Sequence, residues 1–133
     1  MVHKEYILQK SVCEWIDIQH PKLLYMSDTI AAVKLTIPQA ARNKSIQKKD
    51  FKCPDLMVFK PSGKYCGLFI ELKVDSPYQK KSGELFKNDH LEAQQNTIND
   101  LRAAGYYADF SWGFDRTIKL IDWYLNLNND KEQ

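Results

Sequence analysis

Residues 54–73 read PDLMVFKPSGKYCGLFIELK, and this stretch decides the fold. Two short apolar runs, 56–59 and 67–70, flank a Lys-Pro-Ser-Gly turn. Apolar runs of this length on either side of such a turn predict a β-hairpin. The hairpin would bring Asp55, at the start of the first strand, beside Glu71, at the end of the second.

Charged side chains therefore gather at one end of the predicted hairpin. Alternate residues of a strand share a face, so we expect Glu71 and Lys73 on one face and Leu72 on the other. Two carboxylates and one ammonium on a sheet face suit a divalent metal ion and a phosphate group. Each motif alone is common and usually forms a surface salt bridge, so the prediction depends on their conjunction.

The overall composition limits the broad class of protein. The chain has 133 residues and a net charge of +2. This length allows one domain with a sizeable core, and the small charge means that any nucleic-acid footprint must be local. No apolar stretch approaches the length of a membrane span, and the N-terminus lacks a signal-peptide pattern. We therefore expect a cytoplasmic protein with no membrane partner.

The cysteines predict free thiols. Cys13, Cys53 and Cys66 are odd in number and form no Cys-x-x-Cys motif, which is typical of a reducing cytosol. Cys53 and Cys66 could bind zinc together with His90, but their spacing matches no common zinc template. Buried structural cysteines are the better interpretation.

The N-terminal region predicts an amphipathic helix over residues 4–19, ending before the proline at position 21. Its apolar stripe comprises Leu8, Val12, Trp15 and Ile16. Glu5 lies on or beside this stripe, where a carboxylate buried without a partner would be costly. A first-turn glutamate is also favoured by the helix dipole. Periodicity alone does not distinguish a functional carboxylate from a glutamate that only stabilises the start of the helix.

Two lysine-rich segments flank the hairpin in sequence. A second helix is predicted for residues 38–49, and its basic residues are Arg42, Lys44, Lys48 and Lys49. A charged run is usually a solvated face, but its position beside the acidic pair makes phosphate contact a serious alternative. The polar loop 74–89 contains Tyr78, Lys80 and Lys81. Such a mixture suits backbone contact and base stacking on DNA, although flexibility explains it equally well.

The helix predicted for residues 90–104 carries a glutamine at a core-facing position. Its apolar stripe comprises Leu91, Ile98 and Leu101. Gln94 lies on the same stripe, and Gly105 ends the helix. A buried glutamine needs hydrogen-bond partners, which a polar site beneath the helix would supply.

Three further elements complete the predicted fold: a short strand at 23–26, an alternating core strand at 106–112 and a closing helix at 115–127. Asp115 is expected to be the N-cap of that helix. The helix's apolar face comprises Ile118, Ile121 and Leu125. A strand-helix-strand passage normally joins parallel strands by a right-handed crossover. The prediction is therefore an α/β fold with a small mixed β-sheet flanked by helices.

With these elements in place, the sequence resembles the PD-(D/E)XK nuclease superfamily, through the Pro-Asp pair at 54–55 and the Glu-Leu-Lys triplet at 71–73. More narrowly, it resembles the VRR-NUC family, in particular its small standalone members from phages and bacteria. The stretches that carry this resemblance are 54–59, 67–73 and 94–106, together with Glu5 and Gln9, which stand where the family has Glu-x3-Gln. The resemblance covers nearly the whole chain. It implies one domain over residues 1–133 with a restriction-endonuclease-like core.

The resemblance also implies a metal site. Asp55 and Glu71 would bind Mg²⁺ or Mn²⁺ with the backbone carbonyl of Leu72, since hard cations prefer oxygen ligands. Glu5 would hold a second metal ion or its water shell. Such ions lower the pKa of a bound water and neutralise charge on the scissile phosphate. The family resemblance thus accounts for the carboxylate on the first helix.

The remaining roles implied by the resemblance lead to an expected activity. Lys73 would orient or deprotonate the water or stabilise the transition state, and Gln94 would orient the lysine, a water or the phosphate. We expect a metal-dependent DNA endonuclease of a bacterium or phage-infected host, acting on branched DNA like a Holliday-junction resolvase and working as a homodimer. The alternatives are a flap or single-strand nuclease, a non-catalytic nucleic-acid-binding module, and a structural protein in which these charges only form ion pairs.

Overall fold

The computed structural model describes residues 3–27 and 34–127. Within these ranges the strands are β1 (Tyr25–Ser27), β2 (Leu56–Val58), β3 (Leu68–Lys73) and β4 (Tyr107–Trp112). The helices are α1 (Lys4–Gln19), α2 (Ile37–Ile46), α3 (Asp89–Ala103) and α4 (Phe114–Leu125). The strands form one sheet in the order β1-β2-β3-β4. The predicted α/β fold, a small mixed sheet flanked by helices, is confirmed.

The predicted hairpin forms the centre of the sheet. Strands β2 and β3 are antiparallel, with Leu56 opposite Ile70. At the turn, Ser62 and Tyr65 exchange two backbone hydrogen bonds of 3.0 and 2.9 Å. This register continues one residue beyond the ladder, so the position before Leu56 lies beside the position after Ile70.

The connection from β3 to β4 is the strand-helix-strand passage that the sequence predicts. These two strands are parallel, with Glu71 opposite Phe110 and Lys73 opposite Trp112. Helix α3 lies between them in sequence and packs against β4. Because a crossover helix runs back from the end of one parallel strand to the start of the next, the first turns of α3 lie at the end of the sheet where β3 and β4 finish.

The sheet separates two apolar layers. On one face, three β3 residues pack against α1 and α4, and the buried residues of this layer include Val12, Ile16, Leu68, Ile70, Leu72, Ile121 and Tyr124. On the other face, α3 covers a smaller layer comprising Ile98, Leu101, Ala108 and Phe110, with Phe69 packed beside it. Burying each large apolar side chain stabilises the fold by about 1.5–3 kcal/mol. The alternation along β3 therefore turns Glu71 and Lys73 toward the α3 face.

The predicted start of the last helix is wrong. Helix α4 begins at Phe114 after Gly113, whose φ of +79° favours glycine, and Asp115 makes no capping hydrogen bond. The residues that α4 buries are Thr117, Ile121 and Tyr124, rather than the predicted stripe of Ile118, Ile121 and Leu125. The hydroxyl of Tyr124 donates to the carbonyl of Lys60 at 2.7 Å. The face of α4 that is buried, which includes the hydrogen bond from Tyr124 to the hairpin turn, therefore differs from the face that hydropathy predicts.

Other element boundaries differ from the sequence prediction by a few residues. Strand β1 begins at Tyr25 instead of residue 23, and α2 ends at Ile46 instead of residue 49. Helix α3 begins at Asp89 because the Asn88 side chain accepts hydrogen bonds from the first backbone N–H groups of the helix. No helix in the described ranges is long and apolar enough to cross a membrane.

Candidate functional site

The hairpin register brings Asp55 to the end of β3. Its Oδ2 accepts a hydrogen bond of 2.9 Å from the backbone N–H of Leu72. The Gln9 side chain of α1 approaches from the other side, and its Nε2 lies 3.5 Å from the Asp55 carbonyl oxygen. Gln9 also donates to the hydroxyl of Ser27 on β1. Asp55 is thus held between the hairpin and the first helix, beside Glu71.

The adjacent Glu71 is a buried acid, with only 5% of its surface exposed. Burial is the main cause that raises the pKa of its carboxyl far above the usual range. A hydrogen bond to Asp55 and repulsion from the Asp55 and Glu5 charges raise this pKa further, while Lys73 lowers it. The raised pKa means that Glu71 favours its protonated form at neutral pH, in which its carboxyl can donate to Asp55.

Lys73 lies on the same sheet face as Glu71, two residues further along β3. Its ammonium Nζ is 5.9 Å from the centre of the Phe110 ring on the neighbouring strand. A cation at this distance from an aromatic face is attracted to it. The backbone of Lys73 is fixed as well, since its carbonyl accepts from the N–H of Gly113 at 3.1 Å. The predicted sharing of a face by Glu71 and Lys73 is confirmed.

Gln94 is buried on α3, as its position on the apolar stripe predicts, and is 6% exposed. Its Nε2 lies 3.1 Å from Nε2 of His90, one helical turn earlier. Its Oε1 is buried and has no hydrogen-bond partner among the described residues. Ile98, one turn later, packs on Phe110, so Gln94 points toward the sheet face that carries Lys73. The unpaired oxygen marks a place where a hydrogen-bond donor belongs.

Glu5 lies at the edge of the site. It is exposed in the first turn of α1, and its charge reaches Glu71. In the described ranges, no three His, Cys, Asp or Glu side chains form a group that could hold a metal ion by themselves. A metal at Asp55 and Glu71 would therefore need further oxygen ligands from the backbone or from water. The cysteines are free, as predicted, but the expectation that they are buried is wrong, since Cys13 and Cys53 are half-buried and Cys66 is exposed.

The predicted DNA-contacting residues all lie on the surface, outside the carboxylate cluster. They are Arg42 and Lys44 on α2, Lys48 and Lys49 just after it, and Lys80 and Lys81 in the loop before α3. Helix α2 buries none of its residues. The segment that follows is tied to α3, because the N–H of Lys52 donates to the Thr97 hydroxyl at 2.8 Å. The loop has local structure as well, with a β-bridge between Tyr78 and Leu85.

The structure adds an aromatic wall beside Lys73 that sequence analysis did not connect to the site. Trp112 is opposite Lys73 in the sheet. The edge of the Tyr78 ring meets both Trp112 and Phe110, at centroid distances of 5.7 and 6.2 Å. The guanidinium carbon of Arg116 lies 3.8 Å from the centre of the Trp112 ring. Because Trp112 ends β4 and Arg116 lies in the first turn of α4, no period within one element relates the two residues.

His90 is the second residue whose contact with the site was not anticipated. Sequence analysis considered it only as a zinc ligand, but it lies on the first turn of α3 and contacts Gln94. Side chains four residues apart meet on one helix face. That spacing, together with the buried position predicted for Gln94, was sufficient to suggest the pair.

Comparison with known proteins supports the fold. No protein-family model matches the chain, and no curated protein matches it. A solved structure described as a VRR_NUC domain protein matches with a TM-score of 0.66 and 25% sequence identity, over 96% of this chain and 92% of that one. The four-stranded sheet with its flanking helices, and with Asp55, Glu71 and Lys73 at the end of its hairpin, therefore has the fold of a VRR_NUC domain protein.

Proposed function

We propose that the protein is a nuclease that hydrolyses phosphodiester bonds of DNA and that requires Mg²⁺ or Mn²⁺. The observation that carries this proposal is the pairing of half-buried Asp55 with buried Glu71 at the end of β3, with the Lys73 ammonium on the same sheet face. The similarity to a VRR_NUC domain protein supports a nuclease over other uses of such a charge cluster.

The donor set of the site fits a hard divalent cation. A bound cation would replace the proton of Glu71, and divalent cations of this class prefer oxygen ligands. Asp55 can contribute the oxygen that Leu72 does not occupy, Glu71 a second, and the Leu72 carbonyl a third. Glu5 would hold a second ion or its water shell. When bound, the ion would lower the pKa of a water molecule and offset charge on the phosphate.

The other site residues would act on the proton of the attacking water and on the negative charge that develops in the transition state. Lys73 carries its ammonium beside Glu71, where it can orient the water, accept a proton or stabilise the negative charge of the transition state. Gln94 offers its unpaired Oε1 to a neighbouring donor. The hydrogen bond from Leu72 keeps Asp55 in one orientation, which reduces the reorganisation needed during the reaction.

The surroundings suit a DNA strand that passes over Lys73. Tyr78 and Trp112 offer aromatic surface for bases, and Arg116 lies flat on Trp112 with its N–H groups available to a phosphate. We extend the proposal to branched DNA, cut by a homodimer in the manner of a Holliday-junction resolvase, because two symmetric cuts suit a two-fold assembly. Cleavage of flaps or single strands is the alternative within the same chemistry.

The test uses a labelled four-way junction, a flap, a single strand and a plain duplex, each with Mg²⁺, with Mn²⁺ and with a chelator. Glu71→Gln and Lys73→Ala should each lower the cleavage rate by about 100-fold or more. The matched control is Lys22→Ala, which removes an exposed charge on a different part of the surface. Paired symmetric nicks on the junction are the result expected of a dimeric resolvase.

Other outcomes would overturn the proposal. Retained DNA binding without cleavage of any substrate would identify a non-catalytic binding module. Absence of both metal binding and salt-dependent DNA affinity would leave Asp55, Glu71 and Lys73 as a structural ion-pair network.

A further inference from the structure

We propose that His90 is a positioning residue that sets the orientation of the Gln94 side-chain amide, so that Gln94 presents a hydrogen-bond acceptor to the site. The orientation follows from the contact between the two side chains. Its effect on catalysis rests on the proposed nuclease function, and the two parts are tested separately.

The contact determines which nitrogen of His90 carries a proton. Nε2 of Gln94 lies 3.1 Å from Nε2 of His90. An amide nitrogen donates and does not accept, so the imidazole Nε2 must be the acceptor. His90 is therefore neutral in this arrangement, with its proton on Nδ1. The partner of one ring nitrogen thus decides the tautomer of the whole ring.

The same contact determines what Gln94 offers to the site. With its NH₂ group turned toward His90, Gln94 directs Oε1 away from His90, and this oxygen is buried without a partner among the described residues. An acceptor oxygen repels a phosphate oxygen, so contact between Gln94 and the phosphate is disfavoured. The remaining partners are donors: the Lys73 ammonium or a water molecule.

A protonated His90 would reverse this arrangement. An imidazolium has N–H groups on both nitrogens and cannot accept from Gln94. The amide would then turn over, placing Oε1 against His90 and NH₂ toward the site. The charged groups around His90 are Lys87, Asp89 and Glu92, which line the same surface cavity. On the sheet side, Asp55, Glu71 and Lys73 are the charged groups at the end of the sheet where Gln94 lies.

The first experiment needs no catalysis. The tautomer of His90 is read from the two ring-nitrogen shifts and couplings by ¹⁵N NMR of the metal-free protein above pH 7.5. In the wild-type protein we expect the ring proton of His90 on Nδ1. In Gln94→Ala we expect both tautomers of the ring to be populated. A proton on Nε2 in the wild-type protein would overturn the proposal whether or not the protein cuts DNA. Lys73→Ala separates the two donors, because the Gln94 amide signals move only if Lys73 is the partner of Oε1.

The second experiment compares two His90 variants in cleavage. His90→Gln can still accept from Gln94, whereas His90→Lys can only donate. We expect kcat near the wild-type value for His90→Gln and a loss of about 10- to 100-fold for His90→Lys, with no rise in KM. Combining His90→Lys with Gln94→Ala should add nothing beyond Gln94→Ala alone, because both act through one oxygen.

Control variants distinguish an effect on the orientation of the Gln94 amide from an effect on the packing around His90. Glu92→Gln changes a charge in the same cavity and should leave kcat within about twofold. Equal losses in His90→Gln and His90→Lys, or no loss in either, would overturn the positioning role. If the wild type cuts no DNA, the proposed function fails, while the NMR experiment still decides the orientation of Gln94.

Discussion

The Asp55–Glu71 pair keeps two acids together at the end of a strand, where one is buried. Burial and the neighbouring carboxylate both raise the pKa of Glu71, and the single ammonium of Lys73 opposes them only in part. The arrangement costs stability in the absence of a cation. The proposed metal ion would remove this cost by neutralising the two carboxylates.

The pH dependence of stability follows from the raised pKa of Glu71. Above about pH 4.3, an unfolded glutamate has lost its proton while folded Glu71 retains it, so folding stability falls as the pH rises. We expect the melting temperature of the metal-free protein to fall between pH 5 and 8, and Glu71→Gln to remove much of this fall and to raise the melting temperature by about 3–6 °C at pH 8. Thermal unfolding in chelator measures both.

Added Mg²⁺ should restore the stability of the wild-type protein at pH 8 and leave Glu71→Gln nearly unchanged, because the metal would replace the proton on Glu71. A melting temperature that is flat with pH in the metal-free wild type would contradict this account of the pair.

The unpaired oxygen of Gln94 leads to a second prediction for a single residue. Gln94→Met keeps the side-chain length and removes a buried acceptor without a partner. The metal-free protein should gain about 1 kcal/mol in free energy of unfolding, while the cleavage rate falls. Chemical denaturation and cleavage kinetics on one preparation check both. Destabilisation by more than 1 kcal/mol would mean that Oε1 already has a partner in the folded protein.

Among the helices, α2 differs from the others because it buries none of its residues. Its start is stabilised by a capping box, in which Thr36 accepts from the N–H of Gln39 and the Gln39 side chain accepts from the N–H of Thr36. Local bonds of this kind hold the helix start without a core contribution. An exposed basic helix just before the acidic hairpin suits contact with phosphate groups, and we propose this role for it.

Neutralising the basic segment tests this role. The variant combines Arg42→Gln, Lys44→Gln, Lys48→Gln and Lys49→Gln. We expect DNA affinity to fall by about tenfold or more at low salt and the slope of log affinity against log salt to decrease, with a melting temperature near that of the wild type, because none of these residues is buried. Lys10→Gln and Lys22→Gln together form the charge control. Unchanged affinity would identify the segment as a solvated face.

At the scale of the whole molecule, the two faces of the sheet differ in role: one carries most of the apolar core, and the other carries the candidate site. The face covered by α1 and α4 is almost entirely apolar. The face covered by α3 is apolar at one end and polar at the other, where β3 and β4 finish. There Lys73, the aromatic wall and Arg116 meet, contributed by elements far apart in the chain. Sites at the end of a sheet combine a rigid support with an open approach for a large ligand.

Arg116 tests whether DNA passes over this end of the sheet. Arg116→Ala should weaken DNA binding by about three- to tenfold and reduce the salt dependence by roughly one phosphate contact. Arg116→Lys should recover only part of the affinity, because a lysine does not stack on Trp112 with a planar fork of donors. Equilibrium binding at several salt concentrations measures these effects. Equal affinities for all three proteins would exclude Arg116 from the DNA path.

The predictable part of the site came from local patterns. The proximity of Asp55 and Glu71 could be predicted from a hairpin whose turn is formed by adjacent residues. The buried position of Gln94 could be predicted from the periodicity of one helix. Asp115 was wrong as a cap because Gly113 starts the helix earlier through a positive φ, which a preference for acidic caps does not reveal. Arg116 was missed because its stacking depends on the rotamer of a residue at a strand end.

The sequence by itself determined the elements, the pairing of the two acids and the face that Glu71 shares with Lys73, because hairpins and helix stripes are set by neighbours along the chain. Only the tertiary structure decided that Glu71 is buried, that Gln94 has an oxygen left over, and that His90 engages its nitrogen. Desolvation and hydrogen-bond satisfaction depend on everything that surrounds an atom in space. No pattern within one element contains that information.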